Sequence, residues 1–450
     1  MIQSINPYNG EVVYEFKELT EEEVNETIDH VNNTYLEWKK TSFEERKQLM
    51  EKAAEVLKSN AKEYAKVMSL EMGKPITQAI AEVEKCAWVC TYYAHNAEDF
   101  LTKEFIKTDA FKSYVSYEPL GVILAVMPWN YPFWQVFRFA APSLMAGNTA
   151  VLKHASNVMK CAELIEDVFT KAGFPKNVFK SLYIKSDKVE NVIKNPKVKA
   201  VTLTGSKPAG SKVASLAASE IKKSVLELGG NNAFIVLKDA DIEEAVKTAV
   251  NARYQNTGQS CIAAKRLLLH EDIATDFLAK YKEAVSDKKS GDPLDEDTYI
   301  GVMAREDLAE ELEGQVNKSV EMGATIFLGG KRKGAYYEPT IVTDITFDMP
   351  VFKEETFGPV ISVVTFKTVE EAIKISNNSD FGLGVSVFTK DFKQIEKYLP
   401  EFDEGAVFIN EMVKSDPRLP FGGIKISGYG RELSHHGIKE FVNTKTVYLK

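Results

Sequence analysis

The chain has 450 residues, of which 44% are hydrophobic and 27% are charged, and its formal net charge of −9 is spread along the sequence. This length exceeds what one compact core usually holds, so two or three domains are expected. An acidic chain without a basic block excludes nucleic acid and anionic membrane surfaces as natural partners.

The first predicted elements are helices between residues 20 and 100. Apolar residues recur at spacings of three and four in EEVNETIDHVNNTYLEWKK and in ERKQLMEKAAEVLKSNAKEYAKVMSLE. Gly73-Lys74-Pro75 ends the second of these helices, and another follows through Cys90. The N-terminus lacks a signal-peptide pattern, and Pro128 and Arg138 interrupt the most apolar region, so a cytoplasmic protein that does not cross a membrane is expected.

From residue 121 onwards, short apolar strands alternate with amphipathic helices. The segments 121–127, 149–153, 178–184 and 199–205 have strand character, and helices are predicted at 156–172 and 187–194. This alternation predicts a mostly parallel sheet covered on both faces, which binds ligands beyond the carboxyl ends of its strands. A second alternation from KKSVLELGG onwards predicts a second α/β domain, so the fold class is α/β.

Two polar side chains are predicted at strand ends. Asn130 in MPWNYP stands between two prolines, where a rigid amide suits stabilisation of an oxyanion, although a polar turn residue is the alternative. Glu227 in LELGG stands near a strand end beside two glycines. A buried carboxylate there fits a general base, whereas an exposed strand-end glutamate is the simpler interpretation.

Two further segments combine a turn with a functional group. TGSKPAG (204–210) follows a strand and opens a helix, which favours phosphate binding, but it matches neither GxGxxG nor the Walker pattern. Cys261 in QNTGQSC lies between a helix over about 240–256 and the strand KRLLLH. A free thiol needs help to react as a thiolate, and a buried structural cysteine is the alternative.

Together these segments resemble the aldehyde dehydrogenase superfamily over essentially the whole chain. The matching motifs are PWNYP, TGSKPAG, LELGG, NTGQSC, EETFGPV and PFGGIKISGYGRE, and LKHASNVMKCAELI and GRELSHHG are most similar to the shorter bacterial succinate-semialdehyde dehydrogenases. The resemblance implies a Rossmann-type parallel-sheet cofactor domain over 1–110 and 122–226 and a catalytic domain over 227–418. It also implies a β-strand oligomerisation arm over 111–121 and 419–450.

The resemblance assigns catalytic roles to three residues. Cys261 matches the nucleophile that forms a thiohemiacetal, and Asn130 with the Cys261 backbone N–H would hold its oxyanion. Hydride transfer to nicotinamide would leave a thioester, and Glu227 would activate the water that hydrolyses it. The implied reaction is the oxidation of succinate semialdehyde to succinate with NAD or NADP.

The resemblance also assigns the residues of a cofactor cleft. Relatives of the NAD-preferring type carry a glutamate where this chain has Ser156, which would leave room for a 2′-phosphate, so either cofactor is expected. The implied cofactor-binding residues are Trp129, Lys153, Ser156, Gly205, Ser206, Leu228 and Glu355.

The implied substrate site is incomplete. Arg138 matches an arginine that grips the substrate carboxylate in similar enzymes, and a structural salt bridge is its alternative role. A second arginine of some relatives is Gln255 here, for which Ser415 or Arg418 would have to compensate.

Other interpretations follow from the same residues. The same chemistry on glutarate semialdehyde or an aliphatic aldehyde is the nearest alternative, followed by a thiol acyl hydrolase that needs no cofactor and by a purely structural homologue.

The six histidines show no HExxH pattern, so no metal is expected. A small-molecule aldehyde is the expected partner, and the arm implies a homodimer or homotetramer.

Overall fold

The computed structural model describes all 450 residues, Met1–Lys450, as six β-sheets and fifteen α-helices. The strands are β1 Ile2–Ile5, β2 Val12–Phe16, β3 Glu104–Phe105, β4 Lys112–Pro119, β5 Val122–Met127, β6 Thr149–His154, β7 Phe179–Ser181, β8 Val198–Thr204, β9 Lys223–Glu227, β10 Asn232–Val236, β11 Ala264–His270, β12 Thr325–Leu328, β13 Arg332–Lys333, β14 Tyr336–Tyr337, β15 Thr340–Thr343, β16 Val360–Phe366, β17 Phe381–Gly382, β18 Val385–Phe388, β19 Val407–Ile409, β20 Ile424–Lys425, β21 Gly428–Tyr429 and β22 Val442–Leu449. The helices are α1 Glu21–Trp38, α2 Phe43–Ser59, α3 Ala61–Met72, α4 Ile76–Phe100, α5 Trp134–Met145, α6 Met159–Lys171, α7 Val189–Lys194, α8 Lys207–Ser219, α9 Ile242–Tyr254, α10 Glu271–Ser286, α11 Glu306–Glu321, α12 Pro350–Lys353, α13 Val369–Asn377, α14 Phe392–Glu396 and α15 Ser434–Lys439.

The first α/β layer is a six-stranded sheet in the order β21-β9-β8-β5-β6-β7, parallel except for β21. Its central strand β5 shows why both faces are covered. Successive side chains of a strand point to opposite faces, so Ile123 and Ala125 pack with helices α2 to α6. Val122 and Leu124 pack on the other face with α1, α7 and α8. The predicted parallel sheet with helices on both sides is confirmed.

The second α/β layer is a seven-stranded sheet in the order β12-β15-β16-β11-β10-β18-β19. The six strands from β15 to β19 run parallel, and only β12 is antiparallel. Its strands are apolar on both faces, with one face packed on α9 and α10 and the other on α13 and α14. Cys261 lies between α9 and β11, as the sequence predicts.

The third layer is the small antiparallel sheet β22-β4-β3. The strands β22 and β4 pair over eight residues, and the outer edge of β22 has no partner strand. Exposed apolar side chains lie on this sheet and at its ends: Phe105, Ile106, Phe111, Tyr448 and Leu449. The predicted arm segment 419–450 is divided, because β21 pairs with β9 in the six-stranded sheet.

Two helix predictions need correction. The segment ERKQLMEKAAEVLKSNAKEYAKVMSLE forms two helices, α2 and α3, because the chain leaves helical geometry at Asn60 (φ −111°, ψ 14°). The Asn60 side-chain amide donates to the Val56 carbonyl at 2.7 Å, which satisfies the end of α2 locally. The helix after Pro75 continues beyond Cys90 to Phe100. None of the helices combines the length and apolar character needed to cross a membrane.

Candidate active site

The turn that carries the thiol is built from three successive left-handed residues. Asn256, Thr257 and Gly258 have φ values of 55°, 55° and 72°. This conformation is unfavourable for a β-branched residue, so Thr257 needs support from its surroundings. Its hydroxyl accepts from the Gly301 N–H at 3.1 Å, and the Asn256 amide donates to the Asn130 carbonyl at 2.7 Å. The strained turn therefore joins the thiol segment to the loop of Asn130.

Cys261 lines a cavity of about 390 Å³ between the two α/β layers. Burial raises the pKa of its thiol to about 11, while the positive charges of Lys265 and Arg138 act in the opposite direction. The Lys265 ammonium is buried beneath the turn and donates to the carbonyls of Ser260 at 2.7 Å and Cys261 at 2.8 Å. It thus both orients the segment and favours the thiolate.

Asn130 is held beside the thiol with part of its amide still available. Its side-chain carbonyl accepts from Gln135 at 3.1 Å, and its Nδ2 donates one hydrogen to the Gln259 carbonyl at 3.1 Å. The second Nδ2 hydrogen and the Cys261 backbone N–H have no recorded partner within the protein. Asn130 and Cys261 line the same cavity, so these two donors suit an oxyanion formed there.

The loop of Asn130 is also held by hydrogen bonds of the buried His154 side chain. Its Nε2 donates to the Pro132 carbonyl at 2.9 Å, and its Nδ1 accepts from the Ala155 N–H at 2.9 Å. The ring is fully buried, which lowers the pKa of His154 to about 4 and keeps it neutral. The histidine in LKHAS therefore fixes the position of the loop.

A buried ion pair fixes the helix that follows this loop. Helix α5 has no side-chain cap of its own, and Glu82 of α4 accepts from the backbone N–H groups of Phe133 and Trp134, both at 2.9 Å. The second oxygen of Glu82 pairs with Lys74, whose ammonium lies 3.8 Å from the centre of the Tyr131 ring. Both charged groups are buried.

Glu227 lies outside the residues that line the thiol cavity. Its carboxyl group is 2% exposed, has no hydrogen-bond partner, and packs against Gly422 and near Glu432. Burial and the nearby charge of Glu432 raise the pKa of Glu227 well above its usual range. When ionised, it is close enough to raise the pKa of the Cys261 thiol.

The thiol cavity opens towards a second cavity of about 1290 Å³, and Trp129 lines both. Ser206 and Lys207 at the start of α8 line the smaller cavity together with Gly205 and Leu228. No side chain caps this helix, so its first N–H groups are free to bind phosphate oxygens. This arrangement fits the pyrophosphate of a dinucleotide.

The remaining predicted cofactor residues also line these two cavities. Lys153 and Ser156 line the larger cavity, and the Lys153 ammonium donates only to the Ser186 hydroxyl at 3.2 Å, so it lacks an anionic partner. Glu355 lines the smaller cavity and accepts from the Gly230 N–H at 3.0 Å. A side chain at Gly229 would collide with the Glu355 carboxylate, which explains the glycine.

The three predicted substrate residues are not brought together in one cavity. Arg138 is 2% exposed, contacts Glu432 in an ion pair and donates to the Thr204 hydroxyl at 3.2 Å. Gln255 is half-buried at the end of α9, and Ser415 is buried, where it accepts from Lys85 and Trp134, both at 3.0 Å. Arg418 forms a bidentate pair with Asp416 instead of entering the site. The substrate roles stay predictions.

Several residues of this site were not predicted from the sequence. Lys265 opens the predicted strand KRLLLH and Glu432 ends the motif PFGGIKISGYGRE, so both stand inside quoted segments without a predicted role. Glu82 and Lys85 lie on α4, where a charged residue in an amphipathic helix is indistinguishable from a solvated one.

The chain was compared with known proteins. The model of the "Aldehyde dehydrogenase family" matches residues 1–447. A "Probable succinate-semialdehyde dehydrogenase [NADP(+)]" of Synechocystis sp. is 49% identical over 100% of this chain and 99% of the relative. The "Succinate-semialdehyde dehydrogenase [NADP(+)] 1" of Mycobacterium tuberculosis is 47% identical with the same coverage. The structure of succinic semialdehyde dehydrogenase from Streptococcus pyogenes in complex with NADP+ superposes with a TM-score of 0.97 at 36% identity, and each chain is covered completely.

Proposed function

The chain belongs to the aldehyde dehydrogenase family, and from that premise we propose that it oxidises succinate semialdehyde to succinate with NADP+ or NAD+. The observation that carries this proposal is the position of Cys261, which lines a cavity that also reaches the uncapped start of α8. A nucleophile and a phosphate-binding helix end therefore face one space. The names of the similar proteins support the substrate and the use of NADP+.

Cys261 is the nucleophile of the proposed reaction. Its thiol loses its proton to water, the thiolate attacks the aldehyde carbon, and the π bond of the carbonyl breaks so that its oxygen becomes an oxyanion. The Asn130 amide and the Cys261 backbone N–H donate to this oxyanion, while Lys265 and Arg138 favour the thiolate that attacks. The strained turn keeps both donors in place before substrate binds, so no reorganisation is required during the reaction.

The cofactor cleft has the residues that a dinucleotide requires. A bound nicotinamide supplies the chemistry that the side chains lack, the acceptance of a hydride from the substrate carbon. The start of α8 would hold the pyrophosphate, Glu355 the nicotinamide ribose, and Trp129 would line the passage between them. Lys153 and Ser156 are suited to a 2′-phosphate, because they add a hydroxyl and a positive charge that forms no ion pair.

Glu227 acts in the second half of the proposed reaction. The thioester on Cys261 is released when a water molecule loses a proton and attacks the carbonyl carbon. The raised pKa of Glu227 favours its neutral form, which must give up its proton before it accepts one from water. Its position beside Gly422, outside the thiol cavity, means that the carboxyl group also has to turn towards Cys261.

A second substrate class is favoured by one observation. Arg138 is paired with Glu432 and Gln255 is uncharged, so neither offers a free positive charge to a carboxylate. The same chemistry on an uncharged aliphatic aldehyde is therefore the competing proposal.

The test is a panel of aldehydes, including succinate semialdehyde, glutarate semialdehyde and butanal, assayed with each nicotinamide cofactor. We expect kcat/KM to be highest for succinate semialdehyde with NADP+, and Cys261→Ala to abolish turnover of every aldehyde. Equal kcat/KM for succinate semialdehyde and butanal would disprove the substrate assignment. Turnover that survives Cys261→Ala would disprove the nucleophile.

We further propose that the protein works in the cytoplasm as a homodimer or homotetramer. The four cysteines are free, which fits a reducing compartment. The unpaired edge of β22 and the exposed apolar side chains around it favour strand pairing with another copy.

A further inference from the structure

Lys85 is a half-buried lysine whose ammonium forms no ion pair with a carboxylate. It projects from α4, donates to the Ser415 hydroxyl at 3.0 Å and lies 4.2 Å from the centre of the Trp134 ring. Burial and the positive charge of Arg138 lower the pKa of Lys85 to about 8. A charge that is costly to bury and has no counterion is typical of a binding site for an anion.

The hydroxyl of Ser415 is oriented by the same contacts. Its oxygen accepts one hydrogen bond from Lys85 and one from the Trp134 indole N–H, both at 3.0 Å. A hydroxyl has two acceptor lone pairs and one donor hydrogen, so with both lone pairs occupied its hydrogen is free to donate. Lys85 and Ser415 together therefore offer donors and no free acceptor, which suits a carboxylate.

Helix α5 connects this pair to the proposed reaction centre. Trp134 is followed in α5 by Gln135, which lines the cavity of Cys261. Arg138, one helical turn beyond Trp134, acts electrostatically on both Lys85 and the Cys261 thiol. Succinate semialdehyde has only two methylene groups between its aldehyde and its carboxylate, so both of its ends must bind within this neighbourhood.

We propose that Lys85, together with Ser415, binds the carboxylate of the substrate and supplies the positive charge that is missing at Gln255. Arg138 remains paired with Glu432, so its charge is already compensated, whereas that of Lys85 is not. This assignment rests on the proposed oxidation of a semialdehyde that carries a carboxylate. It makes Lys85 the residue that distinguishes such a substrate from an uncharged aldehyde of similar length.

The first test compares Lys85→Met with Lys85→Arg. The measured quantity is the ratio of kcat/KM for succinate semialdehyde to kcat/KM for butanal, so a general loss of activity cancels. We expect Lys85→Met to lower this ratio at least about tenfold, mainly through KM for the semialdehyde, because a charge-assisted contact is removed. Lys85→Arg keeps the charge and should retain most of the ratio. Lys66→Met removes an exposed lysine of α3 and serves as the matched control, so it should leave the ratio unchanged.

The second test needs no variant and holds even if Lys85→Met does not fold. In the wild-type enzyme the same ratio should fall as the pH rises above about 8, because Lys85 loses its charge while the titration of Cys261 affects both substrates alike. The charged or titratable groups around Lys85 are Arg138 on α5, Asp416 after β19, and Glu82 and Cys86 on its own helix. The substrate carboxylate stays ionised over this pH range.

The outcomes separate this inference from the proposed function. Suppose that the wild-type enzyme prefers succinate semialdehyde, but the ratio of the two kcat/KM values is unchanged by Lys85→Met or by pH between 7 and about 9.5. This result overturns the role of Lys85 alone. A wild-type enzyme without any preference for the charged substrate overturns both proposals. A lowered ratio in Lys85→Met that Lys85→Arg restores supports the inference.

Discussion

The pKa values of Cys261 and Glu227 are both raised, for partly different reasons. Burial alone accounts for most of the raised pKa of Cys261, and Lys265 and Arg138 oppose it. For Glu227 the negative charge of Glu432 adds to the effect of burial. Each group must therefore lose a proton before it acts, so the two half-reactions should both accelerate as pH rises.

The reactivity of Cys261 should follow this shift. In the free protein its alkylation by iodoacetamide should accelerate about tenfold per pH unit from pH 7, because the thiolate fraction keeps rising towards a pKa of about 11. The rate is measured by mass spectrometry of the labelled peptide, with Cys261→Ala as the control for Cys86, Cys90 and Cys161, which are buried. A rate that levels off below pH 9 would contradict the raised pKa.

The role of Glu227 is tested separately from that of the thiol. Glu227→Gln should still form the thioester, so one reduced cofactor per active site should appear in a rapid burst. The steady-state rate that follows should be lower by roughly 10²- to 10⁴-fold, the usual contribution of a general base. Stopped-flow absorbance at 340 nm measures both phases. Loss of the burst itself would place Glu227 in the first half-reaction instead.

Helices α5 and α6 of the first α/β layer are capped by side chains of other helices. Helix α5 follows Phe133 and helix α6 follows Val158, and neither residue has a side chain that can accept a hydrogen bond. Buried glutamates of preceding helices replace the missing caps: Glu82 binds the first N–H groups of α5, and Glu71 binds those of Lys160 and Cys161 in α6. The amino-terminal helices therefore position the elements that carry the site.

Removal of the Glu82 carboxylate should be strongly destabilising. Glu82→Ala leaves Lys74 buried without a counterion and the first N–H groups of α5 without an acceptor, so the free energy of unfolding should fall by about 3–5 kcal/mol. Urea unfolding measures this change. Glu84→Ala removes an exposed carboxylate from the same helix and should change stability by less than about 0.5 kcal/mol. Equal effects of the two substitutions would show that the cap contributes little.

At the scale of the whole molecule, the site exists only where the two α/β layers meet. The first layer contributes Asn130, Ser206 and Lys153, and the second contributes Cys261 and Glu355. The turn of Asn256 to Gly258 crosses between them, because Asn256 belongs to the second layer and binds the Asn130 carbonyl of the first. Neither layer contains the complete site by itself.

The third layer should govern assembly. We expect sedimentation equilibrium to give the mass of a dimer or tetramer, because the edge of β22 and its apolar neighbours would otherwise face water. Replacing Tyr448 and Leu449 by aspartate should shift the protein towards monomer. Ile221→Asp changes an exposed apolar residue outside the arm, 92% accessible, and should leave the mass unchanged. A wild-type monomer would contradict the predicted arm.

The sequence by itself determined the alternation of strands and helices from residue 121 to the helix after KRLLLH, and the segments that carry chemistry. Alternation of strand and helix patterns is local, and Asn130, Glu227 and Cys261 were located from their position relative to predicted strand ends. The break at Asn60 was missed, because the apolar periodicity continues through it and only the side-chain bond to Val56 shows the end of α2.

Only the tertiary structure decided which of these groups meet. Lys85 and Ser415 are separated by 330 residues, yet their side chains form a hydrogen bond. Glu227 was expected beside the thiol, but it packs against Gly422 next to Glu432, and Arg138 pairs with the same Glu432. Periodicity and motifs predict on which face of its own helix or strand a side chain lies. The partner that the side chain contacts depends on how elements distant in the sequence pack together.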